Sequence, residues 1–125
     1  MNITIRSFGF RFDHKFKRGE KVIDCRSGLP DPSLRFRTLH NGLDKQIQAI
    51  LNRSGKNFME ETEWMIAGLI REYELKGRKN AAINFGCQGG LYRSVYVADK
   101  TAKWLEKLTD HNITIEHLDM HKYSQ

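Results

Sequence analysis

The chain has 125 residues, of which 39% are hydrophobic and 29% are charged, and it contains two prolines. This length supports one domain core of ordinary size, and the composition excludes a disordered tail. The 21 Lys and Arg against 15 Asp and Glu give a net charge of +6, which favours anionic partners such as RNA, nucleotides or phosphorylated metabolites. We expect a single domain over residues 1–125.

The N-terminal sequence MNITIRSFGFRF has arginines at positions 6 and 11 that interrupt any apolar run. It therefore lacks the hydrophobic region of a signal peptide, and no stretch of the chain approaches a membrane span. We expect a cytoplasmic protein with no membrane contact. In such a reducing compartment Cys25 and Cys87 are expected to be free thiols.

Two strands are predicted in the first part of the chain. Alternation of apolar residues indicates a strand over residues 2–8, and the run EKVIDC indicates another over 20–25. A basic loop separates them. Residues 26–42 contain scattered glycines, prolines and polar residues, which are typical of an irregular connection.

Two helices are predicted next. Residues 43–51 fit a short helix, and Asn57 followed by Glu60 forms a capping box that would begin a longer helix ending at Gly77. Apolar residues spaced three or four apart should form the buried stripe of the longer helix, with Trp64 beside it: Phe58, Met65, Ile66, Leu69, Ile70 and Tyr73.

The last third of the chain predicts a βαβ unit. Residues 81–85 fit a buried strand, 86–93 a loop, a helix follows to about residue 109, and 112–118 fit a further strand. The two strands should be parallel with a right-handed crossover. We predict an α/β domain with a small mixed, at least partly parallel sheet and a phosphate-binding loop between a strand and a helix.

The sequence GCQGGLYRS at 86–94 predicts an anion site. Its glycines let the backbone approach a ligand, and the following helix offers unpaired N–H groups and the positive end of its dipole. Arg93 can grip two phosphate oxygens at once. The residues expected to bind the anion are Cys87, Gln88, Gly89, Gly90, Tyr92, Arg93 and Ser94, with Arg11 and His14 as a second wall.

The spacing of Cys87 and Arg93 is also that of the phosphate loop of cysteine phosphatases. Such an enzyme needs Cys87 as a thiolate nucleophile and a general acid for the leaving oxygen. Convergent N–H groups and Arg93 could lower the pKa of the thiol. A cysteine-dependent phosphatase is therefore the alternative interpretation.

Several residues depart from the phosphatase pattern. Gly86 precedes the cysteine where those enzymes usually have His, and Tyr92 fills a position that is usually small. Asp24 and Asp31 are the candidate acids, but both fit ordinary turn or cap residues. We therefore expect no catalytic residue, and a loop that holds phosphate without cleaving it.

Five short motifs occur in order along nearly the whole chain. They are SFGF at 7–10, VIDCRSGLPDP at 22–32, NGLD at 41–44, GCQGGLYRSVYVAD at 86–99 and EHLD at 116–119. Together they resemble the C-terminal domain of the RNase adapter protein RapZ family.

This resemblance implies an adapter domain that binds RNA and senses an amino-sugar phosphate, with the glycine-rich loop as its anion pocket and without hydrolysis. The chain departs from the family pattern by three substitutions, Gln88 for Thr, Tyr92 for His and Leu118 for Arg, and by one extra residue between Arg26 and Pro30. Full-length members also carry an N-terminal kinase-like domain with its own nucleotide loop, whereas a solitary domain is expected here. A third interpretation is a protein-interaction adapter without a ligand.

The segment SFGFRFDHKFKR interleaves phenylalanines with cations. Such residues can stack on unpaired bases while the charges hold the phosphate backbone. In the alternative, the phenylalanines face the core and the cations form a solvated edge. The candidate RNA-binding residues are Arg11, Lys15, Lys17 and Arg18.

His117, Asp119 and His121 alternate near the C-terminus. A two-residue spacing at the end of a strand is common, and no cysteine supports a metal-ligand set there. We expect neither a metal nor a cofactor. The expected partners are RNA, a phosphorylated small molecule or both, together with a protein partner.

Overall fold

The computed structural model of the protein describes residues 1–32 and 41–123. Part of the irregular connection predicted at 26–42 therefore lies outside the described residues. The described elements, in chain order, are β1 (Asn2–Gly9), β2 (Lys21–Asp24), α1 (Lys45–Ser54), α2 (Lys56–Leu75), β3 (Asn80–Cys87), α3 (Arg93–Leu108), β4 (Asn112–His117) and a 3-10 turn (Met120–Tyr123).

The four strands form one sheet in the order β2-β3-β1-β4. Every pairing is parallel, so the α/β class is confirmed, and the described sheet is parallel throughout. The strands of the predicted βαβ unit, β3 and β4, are indeed parallel. They are not neighbours, however, because β1 lies between them and pairs with both.

The helices pack on the face of the sheet that carries the apolar side chains. Ile5 of β1 lies opposite Ile83 of β3, Ile3 and Phe85 lie on the same face, and all four are fully buried. Burying such side chains is the main favourable contribution to folding. The helical residues in the same core include Ile47 and Leu51 of α1, Ile66 and Ile70 of α2, and Val97 and Leu105 of α3.

The predicted start of α2 is wrong. The helix begins at Lys56 with Gly55 as its N-cap residue, so Asn57 lies inside the helix and no capping box forms. A Cβ on Gly55 would lie 2.3 Å from Cδ2 of Leu29. The residue between α1 and α2 is therefore a closely packed glycine and not a polar cap.

The buried stripe of α2 is only partly as predicted. Ile66, Ile70 and Tyr73 are buried, whereas Met65 is 36% exposed and Trp64 is 84% exposed. The stripe instead includes other residues closer to the start of the helix, Met59 and Thr62.

The predicted end of α2 at Gly77 is confirmed by its geometry. Gly77 has a φ of 67°. Its N–H donates to the Glu74 carbonyl at 3.0 Å, and the Arg78 N–H donates to the Tyr73 carbonyl at 3.0 Å. This is the Schellman pattern, which glycine favours because it has no Cβ.

The other face of the sheet carries polar side chains together with Phe8, and the loop between β1 and β2 covers it. Nη1 of Arg6 donates to Oε1 of Glu20 at 2.8 Å and to Oδ1 of Asn84 at 3.2 Å. Nδ2 of Asn84 donates to the same Glu20 oxygen at 3.1 Å. Asn84 is consequently buried with its amide bonded. Within residues 1–32 and 41–123, none of the helices has the length and apolar character needed to cross a membrane.

Candidate functional site

All the loops that follow the strands meet at one edge of the sheet. The strands end at Gly9, Asp24, Cys87 and His117, and because they are parallel their carboxyl ends lie side by side. The chain leaves the neighbouring strands β1 and β3 in opposite directions, toward β2 and β4 respectively. Open parallel sheets bind ligands at such a point.

Glycines bring the loop after β3 against the end of β1. A Cβ on Gly9 would lie 2.6 Å from the carbonyl carbon of Gly89. Gly90 has a φ of 74°, and a Cβ there would lie 2.5 Å from the Gly9 nitrogen. Backbone meets backbone at this contact, so a larger residue could fit only if the loop moved. We call residues 88–92 the glycine loop.

The N-terminus of α3 follows the glycine loop directly. The helix begins at Arg93, and among the described residues the N-cap Tyr92 makes no side-chain capping bond. The first N–H groups of any helix have no partner within the helix. The start of α3 therefore offers N–H donors and a positive dipole end, the combination that attracts a phosphate.

The Arg93 guanidinium lies within the protein, with the residue only 8% exposed. Its Nη1 donates to the Arg26 carbonyl at 3.1 Å, which fixes the orientation of the side chain. Its Nη2 lies 3.7 Å from Oδ2 of Asp31. The positive charge of Arg93 is therefore shared with a neighbouring carboxylate.

Cys87 is the last residue of β3 and is 2% exposed. Its Sγ lies 3.1 Å from the hydroxyl of Ser94, which is fully buried. Cys25 is buried near it, and burial raises the pKa of the Cys25 thiol well above its ordinary value. Both cysteines are free thiols, as expected.

Asp24 does not have the properties of a general acid. Nη2 of Arg26 lies 2.9 Å from Oδ2 of Asp24. The hydrogen bonds from Arg26 lower the pKa of Asp24 despite the opposing effect of burial. Because Asp24 is ionised near neutral pH, it has no proton to give to a leaving group.

Three predicted site residues, Arg11, Gln88 and Tyr92, form the rim of the glycine loop. Oε1 of Gln88 accepts a bond from Nη1 of Arg26 at 3.1 Å, and the backbone N–H of Arg11 donates to the Gln88 carbonyl at 3.1 Å. Burial raises the pKa of Tyr92, and the nearby Asp31 adds to this effect.

His14, predicted as part of a second wall, faces a different group. Its Nε2 lies 2.8 Å from Oδ2 of Asp119, and its ring stacks on Phe16. Asp119 is fully buried and also accepts the Gly9 N–H at 2.7 Å. His14 is thus linked to the glycine loop through Asp119 and Gly9. Asp119 was not predicted from the sequence as a site residue.

The loop between β1 and β2 presents its cations to solvent. Half-buried aromatic residues at 12, 14 and 16 alternate with exposed residues at 11, 13, 15 and 17. Phe8 packs against Phe10 and Phe16 at centroid distances of 4.9 and 4.8 Å. The aromatic rings therefore hold the loop on the sheet, while Arg11, Lys15, Lys17 and Arg18 are exposed.

The alternating trio near the C-terminus is divided between different contacts. Nδ1 of His117 lies 2.6 Å from the Ser7 hydroxyl, Asp119 faces His14, and His121 is exposed. Burial lowers the pKa of His117. Within the part of the chain that the structure describes, no group of three His, Cys, Asp or Glu residues is arranged to hold a metal ion.

Comparison with known proteins gives a family for this chain. The family model described as the RapZ C-terminal domain matches residues 1–121. A nucleotide-binding protein of Agathobacter rectalis is 36% identical over 126 residues, which cover 96% of this chain and 42% of that protein. One from Syntrophomonas wolfei is 35% identical, covering 96% of this chain and 41% of that protein. One from Magnetococcus marinus is 29% identical, covering 99% of this chain and 40% of that protein.

The predicted resemblance is thereby confirmed, and the chain belongs to the RapZ C-terminal domain family. The chain spans about two fifths of the length of the curated relatives that it matches. The glycine loop, Arg93 and Ser94 all lie within the matched residues.

Proposed function

We propose that this single domain is a non-catalytic adapter that binds a phosphorylated ligand, RNA or a sugar phosphate, through the glycine loop and the start of α3. The main supporting observation is the position of the first turn of α3, which follows a glycine loop packed on β1. The relatives' shared name, nucleotide-binding protein, agrees with a phosphate-bearing ligand.

The phosphate is proposed to accept hydrogen bonds from the backbone N–H groups of the glycine loop, Arg93 and Ser94. Arg93 contributes charge, although it also braces the Arg26 carbonyl. The side chains of Gln88 and Tyr92 form the rim and distinguish one phosphate ester from another. Cys87 lies beneath the loop, buried beside the Ser94 hydroxyl.

The exposed cations of the β1–β2 loop are proposed to bind the RNA backbone. The backbone N–H of Arg11 donates to the Gln88 carbonyl and so joins the β1–β2 loop to the glycine loop. A bound RNA strand can therefore run from the β1–β2 loop to the phosphate site. Binding through such cations releases counterions and weakens steeply with salt.

A titration observed by NMR tests the phosphate site. Inorganic phosphate, AMP, glucosamine 6-phosphate and a short single-stranded RNA are each added to the protein. The amide signals of Gly89, Gly90, Arg93 and Ser94 should shift most. Arg93→Lys keeps the charge but loses the planar fork, so it should weaken binding. Lys103→Ala is the control, since Lys103 pairs with Asp99 on the exposed face of α3. Shifts spread evenly over the surface would contradict the proposal.

The RNA surface has a matched test. Arg11, Lys15, Lys17 and Arg18 are replaced together by Ala, and RNA affinity is measured at several salt concentrations. Affinity should fall and the salt dependence should flatten. The control replaces four exposed cations elsewhere by Ala: Lys45, Arg53, Lys79 and Lys103. Equal losses in the two variants would show a general charge effect and no specific surface.

A cysteine phosphatase is the second candidate, and one observation favours it. The Ser94 hydroxyl lies 3.1 Å from Sγ of Cys87, where it could donate to a thiolate. The buried sulfur and the ionised Asp24 count against this candidate. We expect no hydrolysis of an aryl phosphate or of sugar phosphates at mildly acidic pH. Turnover that disappears in Cys87→Ser would establish the phosphatase instead.

A further inference from the structure

We propose that residues Asp119 to Tyr123 form a clasp that positions the glycine loop, with Asp119 and Tyr123 as positioning residues for the phosphate site. The inference rests on the proposed function, because it concerns how the same site is held in shape. Neither residue is expected to touch the phosphate. Both are more than a hundred positions from β1 in sequence, yet they reach its carboxyl end.

The lower contact of the clasp is the Asp119 carboxylate. It accepts the Gly9 N–H at 2.7 Å, lies 2.8 Å from Nε2 of His14, and accepts Nζ of Lys122 at 2.6 Å. Gly9 is the residue whose backbone meets Gly89 and Gly90. Asp119 thereby fixes the position of Gly9, against whose backbone the glycine loop packs.

The upper contact is the Tyr123 hydroxyl. It donates to the Gly89 carbonyl at 2.7 Å. A Cβ on Gly89 would lie 2.9 Å from the Tyr123 hydroxyl oxygen, so the phenol can approach because Gly89 has no side chain. Nζ of Lys122 lies 4.0 Å from the centre of the Phe12 ring, which itself packs edge-on to Tyr123.

The two contacts hold opposite sides of one short segment. Gly89 is bonded through its carbonyl to Tyr123 and rests by its backbone on Gly9, which Asp119 holds. Glycine is the most flexible residue, so a loop rich in glycine loses the most entropy when it is ordered. A loop already ordered by the clasp binds an anion without that loss, which is the general advantage of preorganisation.

Tyr123→Phe in the full chain is the sharpest test, because it removes one hydroxyl and keeps the ring. Inorganic phosphate is the probe, and the amide shifts of Gly90 and Arg93 report binding. The dissociation constant should rise about fivefold, as expected for the loss of one neutral hydrogen bond. The melting temperature should fall by no more than a few degrees. The Gly90 amide should also exchange with solvent faster in the ligand-free variant.

Tyr96→Phe is the matched control. It removes a hydroxyl that donates to Asn52 at 2.6 Å in the groove between α1 and α3. Its phosphate affinity and its exchange at Gly90 should equal those of the wild type. Asp119→Asn is a second variant and should weaken phosphate binding more than Tyr123→Phe, because bonds to a charged group are stronger.

The outcomes separate the two proposals. If the wild type binds phosphate and Tyr123→Phe binds equally well with unchanged exchange, the clasp is wrong and the phosphate site stands. If the wild type does not bind phosphate, the proposed function fails. The exchange of the Gly90 amide in the ligand-free proteins then still decides whether the clasp orders the loop.

Discussion

The two edges of the same sheet are held by different kinds of contact. At the amino edge, where the strands begin, the groups are at the surface: Nε2 of His111 lies 2.6 Å from Oε2 of Glu74, whose side chain is 43% exposed. An exposed bond from Nδ2 of Asn112 to Oδ1 of Asn2 lies nearby. At the carboxyl edge, Ser94 and Asp119 are polar and fully buried.

Burying a polar group costs free energy unless the group is hydrogen-bonded, so the burial of polar groups at the carboxyl edge is not explained by a gain in stability. The carboxyl edge carries this cost together with a contact that glycine alone permits, between Gly9 and Gly89. Such concentrations of buried polar groups and close backbone contacts are typical of functional sites. The contacts that shape the site and those whose loss should cost the most stability therefore lie at the same, carboxyl edge.

The largest predicted effect is that of removing the buried carboxylate. Asp119→Ala leaves the Gly9 N–H, His14 and Lys122 without their shared partner, and should lower the free energy of unfolding by about 3 kcal/mol. His111→Ala removes the partly exposed pair with Glu74 and a contact with the N-terminal amine at the other edge, and should cost about 1 kcal/mol or less. Chemical denaturation measures both. Equal losses of unfolding free energy in the two variants would show that the two edges do not differ in their contribution to stability.

A smaller effect is predicted for glycine replacements at the two edges. Gly9→Ala places a Cβ against the backbone of Gly89 and should cost about 2–3 kcal/mol. Gly77, near the amino edge, has a φ of 67°, and among the described residues no atom lies within 4 Å of the position that a Cβ would take, so Gly77→Ala should cost about 1 kcal/mol. Thermal and chemical denaturation of both variants give the comparison. If Gly77→Ala were the more damaging, backbone packing would not be the main constraint at the carboxyl edge.

The order of elements along the chain was largely predictable from sequence. Alternating residues or short apolar runs identified the strands, and the glycine-rich motif before Arg93 located the start of α3. These signals are local, because they depend on periodicity and on residues that are adjacent in the chain. The capping box at Asn57 was wrong because α2 begins at Lys56, after Gly55, which packs closely against Leu29 through the tertiary fold.

The clasp could not be predicted for the opposite reason. The Gly9 N–H and Asp119 are separated by 110 positions in sequence, and the insertion of β1 between β3 and β4 brings them together. An aspartate after a strand gives no sign in sequence that it is buried or what it binds. His14 was placed in the site for its position near the loop, while its actual contact with Asp119 depends on the tertiary fold.

Acid should weaken the carboxyl edge through Asp119. Burial acts to raise the pKa of Asp119, but the bonds from Lys122, Gly9 and His14 outweigh it and hold that pKa below its ordinary value. A carboxyl whose folded pKa is lowered stabilises the protein above its unfolded pKa, near 3.9, and loses that contribution as the pH falls through the folded value. Wild-type stability should therefore fall more steeply below about pH 4 than that of Asp119→Asn. Denaturation at a series of pH values checks this, and parallel curves would contradict it.

The smallest predicted effect concerns the carboxylate beside Arg93. Oδ2 of Asp31 lies 3.7 Å from Nη2 of Arg93 and its side chain is 38% exposed, so it both repels a phosphate in the glycine loop and competes for the guanidinium. Asp31→Asn removes the charge at constant shape and should tighten inorganic phosphate binding about threefold, as expected for one partly exposed charge pair. Asp110→Asn, an exposed carboxylate near the amino edge, changes the net charge equally and should leave affinity unchanged. Equal gains in both variants would reduce the effect to net charge. No gain in Asp31→Asn would mean that Arg93 braces the Arg26 carbonyl without contacting the anion, which would leave the N–H groups of the glycine loop and of α3 as the binding groups.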